Sequence, residues 1–152
     1  MAVDGEISVG TKAISELREQ VLVIPGTLPQ LNDVVRASKG HWSAYNDTKK
    51  KTEKIIQTYI LKAKLKPISN PVWFHFSWIS KDYKVDPDNM AFAKKYIIDA
   101  LATMKILPKD GRDTVKGWID DFPPKDPDNP RVEVIIYEVN PDDDGEDEGE
   151  ED

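Results

Sequence analysis

Apolar positions along this chain follow two periods, and the switches between them mark out its elements. Val21, Leu22, Val23 and Ile24 form a β-branched run that Pro25-Gly26 should stop, which predicts a first strand. Ile55, Ile56, Tyr59, Ile60 and Ala63 then recur at helical spacing, so a helix from near Ser43 would carry them on one face and lysines on the other. Pro67 and Pro71 close it. The stretch Val72-Trp73-Phe74-His75-Phe76-Ser77-Trp78-Ile79 is aromatic and β-branched, as in a strand buried on one face. A second helix is expected from Asp88 or Asn89 to Met104, with Ala91, Phe92, Lys95, Ile98 and Ala102 in register and Asp88 as a cap. Residues 114–120 and 131–139 read as two more strands; in the last, Val132, Val134 and Ile136 alternate with Glu133, Ile135 and Tyr137. The order is β-α-β-α-β-β. It describes a single α+β domain with a mixed sheet and two main helices.

The ends differ from this middle. Residues 1–20 form an N-terminal extension with no pattern to tie it down, 21–139 form the domain, and 140–152 hold nine acids, no base and nothing apolar. Such a tail repels itself and is expected to be disordered. It also changes how the formal charge of −7 is read: of 28 acids nine lie in the tail, leaving 19 against 21 bases, a net of +2 for the rest. From Lys39 to Lys105 thirteen lysines face six acids, an excess of +7. That could form the footprint of a polyanionic partner, although on charge alone a solvated lysine-rich helix is the better reading.

Cysteine is absent, which removes disulfides, thiolate metal sites and a thiol nucleophile, and fits a cytoplasmic setting. No segment has the length of a membrane span or the form of a leader. His41 and His75 have no metal-like neighbours, and His75 is expected to be a satisfied sheet residue. Without a Walker A, dinucleotide or G-x-S-x-G pattern, no nucleotide cofactor is expected.

Candidate chemistry gathers around the second helix. Asp86 and Asp88 stand before it with one residue between them, so both carboxylates can face one ion. Asp110 follows it by a short loop and is expected back at the same strand edge if helix and sheet pack antiparallel. Three such acids near Lys95 could hold Mg²⁺, with Mn²⁺ as a substitute, against a phosphate. Each also has an ordinary role. Asp-Pro-Asp-Asn occurs twice, at 86–89 and at 126–129, the second copy placed as a turn; Asp88 could only cap a helix, and Lys109-Asp110-Gly111 could be a turn.

Together, Asp86-x-Asp88-Asn89, Lys95-x-x-x-Asp99-Ala100-Leu101 and Leu107-x-x-Asp110 resemble the signature of RusA-type Holliday-junction resolvases, the crossover junction endodeoxyribonucleases. The resemblance spans 21–139, since Leu28-Pro29-Gln30-Leu31-Asn32 is similar to the family's early Pro-x-x-Asn loop. It implies a Mg²⁺-dependent, structure-selective nuclease that resolves four-way DNA junctions by paired phosphodiester hydrolysis in recombination and repair. It also implies a homodimer acting on branched DNA, in a bacterial or bacteriophage setting. Asp86, Asp88 and Asp110 then become the metal-binding catalytic acids and Lys95 the catalytic lysine. The stretch from Asn89 to Lys95 is about one helical turn longer than in the family pattern, which keeps Lys94 as the alternative.

DNA contacts would fall to Asn32, Lys39, Lys49, Lys50, Lys51, Lys54, Lys81, Lys84 and Lys94, with Lys62 and Lys64 as further backbone contacts. Trp42, Tyr45 and Tyr83 are candidates to wedge at the branch point. Two other readings stay open: a catalytically silent nucleic-acid-binding module of the same fold, and an interaction protein acting through its acidic tail.

Overall fold

Leu22 and Ile24 are wholly buried while Val21 and Val23 face outward, so the first apolar run is a strand with one side on a core. In chain order the elements are β1 (Ser8–Val9), β2 (Lys12–Ala13), β3 (Arg18–Pro25), α1 (Trp42–Ala63), β4 (Val72–Ile79), α2 (Pro87–Ala91), α3 (Lys94–Thr103), β5 (Val115–Asp121) and β6 (Arg131–Glu138). The computed structural model describes residues 8–9, 12–13, 18–30, 33, 35–36, 39 and 42–139, without the side chains of Ser8, Val9, Lys12, Ala13, Trp42 and Ala44. Asn32, His41, the tail 140–152 and most of the extension 1–20 lie outside the described residues.

β1 and β2 pair as a small antiparallel hairpin, and the other four strands form one mixed sheet in the order β3-β6-β4-β5. β6 runs antiparallel to both its neighbours, whereas β4 and β5 are parallel. Two parallel neighbours need a crossover, and α2 and α3 provide it. The main order is the expected β-α-β-α-β-β.

β3 begins three residues before the apolar run because pairing holds its polar start: Arg18 lies opposite Glu138 and reaches that carboxylate at 3.3 Å. It ends at Gly26, whose φ of +90° suits glycine and whose N–H donates to the Pro130 carbonyl at 2.8 Å. On α1 the buried stripe is Thr52, Ile56 and Ile60, with Tyr59 and Ala63 packed beside it. Ile55 is exposed, a correction to the expected face. Thr52 takes the inner position because its hydroxyl donates to the Thr48 carbonyl at 2.8 Å, which satisfies the polar group.

The core lies between the helices and one sheet face. Val72, Phe74, Phe76 and Trp78 of β4 point into it, with ring stacking from Phe74 to Phe76 at 5.3 Å and from Phe76 to Trp78 at 5.5 Å. Each such side chain contributes about 1.5–3 kcal/mol by leaving water. From the helix side come Ala93, Tyr96, Ile97, Ile98, Ala100 and Leu101.

The expected single second helix is in two pieces. At the join, Ala93 bonds back to Met90 at 3.3 Å and Lys95 to Phe92 at 3.2 Å, three-residue steps that tighten the rod locally. Nor does Asp88 cap it: Asp86 occupies the cap, Pro87 the first helical position, and Asp88 the first turn. α3 stops at Lys105, whose φ is +65°, with Ile106 N–H donating to the Leu101 carbonyl at 2.9 Å and Lys105 N–H to Ala102 at 3.1 Å. That is a Schellman ending with lysine in place of glycine.

Candidate active site

The chain leaves β4 through an exposed loop in which the Ser80 hydroxyl donates to the Asp82 carbonyl at 2.6 Å and the Asp82 carboxylate accepts the Lys84 N–H at 3.0 Å. Asp86 then opens α2, its carbonyl accepting from Asn89 at 3.1 Å and from Met90 at 3.2 Å. Its carboxylate makes no cap bond. The Asp88 carboxylate accepts only the N–H of Asn89 at 3.0 Å among the described residues. Both side chains are exposed, and neither forms an ion pair with a described base. Exposed carboxylates are the ligand type that a hard cation keeping several waters takes.

Asp110 is not with them. Ile68, just before β4, donates to the Ile106 carbonyl at 2.8 Å, and Val72 to the Thr114 carbonyl at 2.8 Å, so the loop 104–114 lies at the starting end of β4. Asp86 and Asp88 follow its finishing end. The antiparallel packing expected from the sequence is present, but it carries the chain back to where β4 begins. From Asp88 to Asp99 the rod climbs eleven residues, about 16 Å, and the Asp110 carboxyl lies beside that of Asp99 at that far end. The expected pocket of three acids within one chain is therefore corrected: among the described residues no three potential ligands group around a metal position.

Asp110 instead shares its end of the rod with Asp99 and Lys95. Burial, then the Asp110 carboxyl beside it, push the Asp99 carboxyl above the ordinary aspartate value, against the pull of Lys95. The Lys95 ammonium lies 3.3 Å from Asp99 and its side chain is 67% exposed. Lys94 is its opposite, only 16% exposed and clamped to Asp120 at 2.5 Å. It also lies over the Trp118 ring at 4.9 Å and the Phe76 ring at 5.7 Å, while Trp78 Nε1–H donates to the same Asp120 at 2.8 Å. Lys94 is committed to this contact, whereas Lys95 is left largely exposed. Asp120 escaped the sequence reading because its partners, Trp78 and Lys94, are 42 and 26 residues away.

Lys49, Lys50, Lys51, Lys54 and Lys62 are exposed along α1, and Lys64 follows its end. Lys81 and Lys84 are exposed in the loop that leads to Asp86, and Lys39 is exposed as well. Tyr83 stands in the same loop, 69% exposed, its hydroxyl accepting the Lys125 N–H at 3.1 Å. Tyr45 is half-buried on α1. The second Asp-Pro-Asp-Asn is the expected turn: Asn129 bonds to the Asp126 carbonyl at 3.1 Å, and the Asp126 carboxylate reaches Arg131 at 3.1 Å. His75 departs from expectation, since its buried Nε2 lies 3.6 Å from Asp121, too far for a hydrogen bond, and has no other partner among the described residues.

Compared with known proteins, the chain matches no protein-family model and no curated protein.

Proposed function

We propose that the chain is a Mg²⁺-dependent, structure-selective endodeoxyribonuclease of the RusA type, cutting four-way DNA junctions as a homodimer whose two active sites each draw on both chains. The observation that carries this reading is the distribution of the signature along one helical rod. Asp86 and Asp88 are exposed at its start, and Asp110 lies beside Asp99, the partner of Lys95, towards its other end. Two copies related by a two-fold axis, with these rods side by side and antiparallel, set Asp86 and Asp88 of each chain against the partner's Asp110. Two equal sites follow from one axis. Paired cuts in a symmetric junction ask for that number.

In each site Asp86, Asp88 and the partner's Asp110 would hold Mg²⁺, which when bound neutralises charge on the phosphate and lowers the pKa of water. Lys95 supplies a mobile point charge to the scissile phosphate, an electrostatic task that its exposure and long stem suit. The lysines of α1, with Lys81 and Lys84 beside Asp86, contact phosphates and set register without reading bases. Binding then weakens as salt rises.

A nicking assay on a synthetic four-way junction, run with and without Mg²⁺, tests the reading. The parent should cut only with the metal, and Asp88→Asn should bind the junction while failing to cut it. Cutting by Asp88→Asn at the parent rate would remove the assignment.

A further inference from the structure

A β-bulge delivers a half-exposed tryptophan to the outer edge of the sheet, and the reaction proposed above makes no use of it. β5 is an edge strand in which Val115 lies opposite Val72 and the next pair is Gly117 with Trp73, leaving Lys116 as the extra residue. Such a bulge turns every later side chain to the other face. Gly117 therefore lies against the Trp73 ring, where an added Cβ would stand 2.6 Å from the ring edge. Trp118 turns to the helix side, opposite Phe74. There the Lys94 ammonium lies 4.9 Å from the ring centre, itself fixed by Asp120. The indole is held but not covered, with 48% of the residue exposed.

Around it Arg112, Val115, Lys116 and Gly117 line an open depression of about 420 Å³. The lining holds two bases and no acid, and the nearby Asp120 is already paired with Lys94. A large aromatic left half in water on a sheet edge is poor packing. Beside two cations it is a stacking platform for a nucleobase whose backbone phosphate meets the cations. Arg112 follows Asp110 by two residues, so this platform adjoins one half of the acidic site.

We infer that the depression binds an unpaired nucleotide of a DNA strand, with its base stacked on Trp118 and its phosphate held by Arg112 and Lys116. The inference takes its ligand class from the nuclease reading and adds a place where a strand opened at the branch point is received.

The probe is a fluorophore-labelled oligothymidylate titrated into the full chain and read by anisotropy. Trp118→Ala should weaken binding about tenfold, the size of one lost base–aromatic stack, while Trp118→Phe keeps most of the affinity. Arg112→Ala with Lys116→Ala should flatten the salt dependence. On a four-way junction with thymines at the branch, the parent should raise their permanganate reactivity and Trp118→Ala should not. A parent that ignores oligothymidylate, a Trp118→Ala variant that binds as the parent does, or a Trp118→Phe variant as weak as Trp118→Ala would overturn the inference. A parent that stacks the strand on Trp118 yet leaves junctions uncut would overturn the nuclease and spare this site. Cutting by the parent with unchanged binding by Trp118→Ala would do the reverse.

Discussion

Mixing two inactive variants, Asp88→Asn and Asp110→Asn, should bring junction cutting back. Between Asp88 and Asp99 the rod spans about 16 Å at the helical rise, and Asp110 lies at the Asp99 end. Ligand oxygens stand only about 2.1 Å from Mg²⁺, so carboxylates that share an ion are immediate neighbours. No aspartate rotamer bridges that gap within one chain. In the two-fold dimer proposed above each site would join Asp86 and Asp88 of one chain to the partner's Asp110, so a heterodimer of the two variants would concentrate both lesions in one site and leave the other intact. Random pairing of equal amounts makes about half of the dimers mixed, each with one working site of two, so about a quarter of the parent's sites should return. Co-refolded, differently tagged variants assayed on a labelled four-way junction would display this as nicked junctions in place of paired cuts. If tag pull-down finds heterodimers and the mixture stays as inactive as each variant alone, the shared site is wrong.

Other perturbations separate the roles of neighbouring residues. Lys95→Ala should slow cutting about a hundredfold or more, as for a lost transition-state donor, with an unchanged denaturant midpoint because the side chain is largely exposed. Lys94→Ala should instead lower stability by about 1–3 kcal/mol, since it leaves the half-buried Asp120 without its ammonium; equal midpoints for the two variants would contradict this division. Gly117→Ala places a Cβ 2.6 Å from Trp73, and the resulting shift should cost about 1–3 kcal/mol in chemical unfolding. Asp99 has a raised folded-state pKa, so the folded chain binds its proton more tightly than the unfolded chain does and loses stability as pH rises from the ordinary aspartate range through that raised value. Asp99→Asn should therefore melt higher than the parent at neutral pH, with the gain vanishing in acid; a gain that persists in acid would refute the sign.

Much of the fold was legible because local pattern and tertiary packing agree. β4 carries Phe74, Phe76 and Trp78 on alternate residues, and the sheet buries that set. Where long-range pairing decides, the sequence is silent. The polar start of β3 is a strand only because β6 lies beside it, and the bulge at Lys116 exists only in relation to Trp73. The tightened join at Phe92-Ala93 likewise lies inside an unbroken helical pattern of apolar positions.

The placement of Asp110 is the most instructive case, because each local inference about it held and their combination did not. A helix does start at Asp86, with Asp88 in its first turn, it does pack back along the sheet, and a short loop does lead to Asp110. In a crossover between parallel strands, however, the helix returns the chain to the starting edge of the strand it left. Acids on either side of a crossover helix therefore stand at opposite ends of the sheet, whatever their spacing in sequence. They can share one ion only when a second, inverted copy supplies the missing end, so the same topology that separates Asp110 from Asp88 would make cutting depend on the dimer. A folded chain held as a monomer by dilution should bind DNA through its lysines and fail to nick it at any Mg²⁺ concentration; nicking whose specific rate stays constant on dilution below the dimer dissociation constant would rule the shared site out.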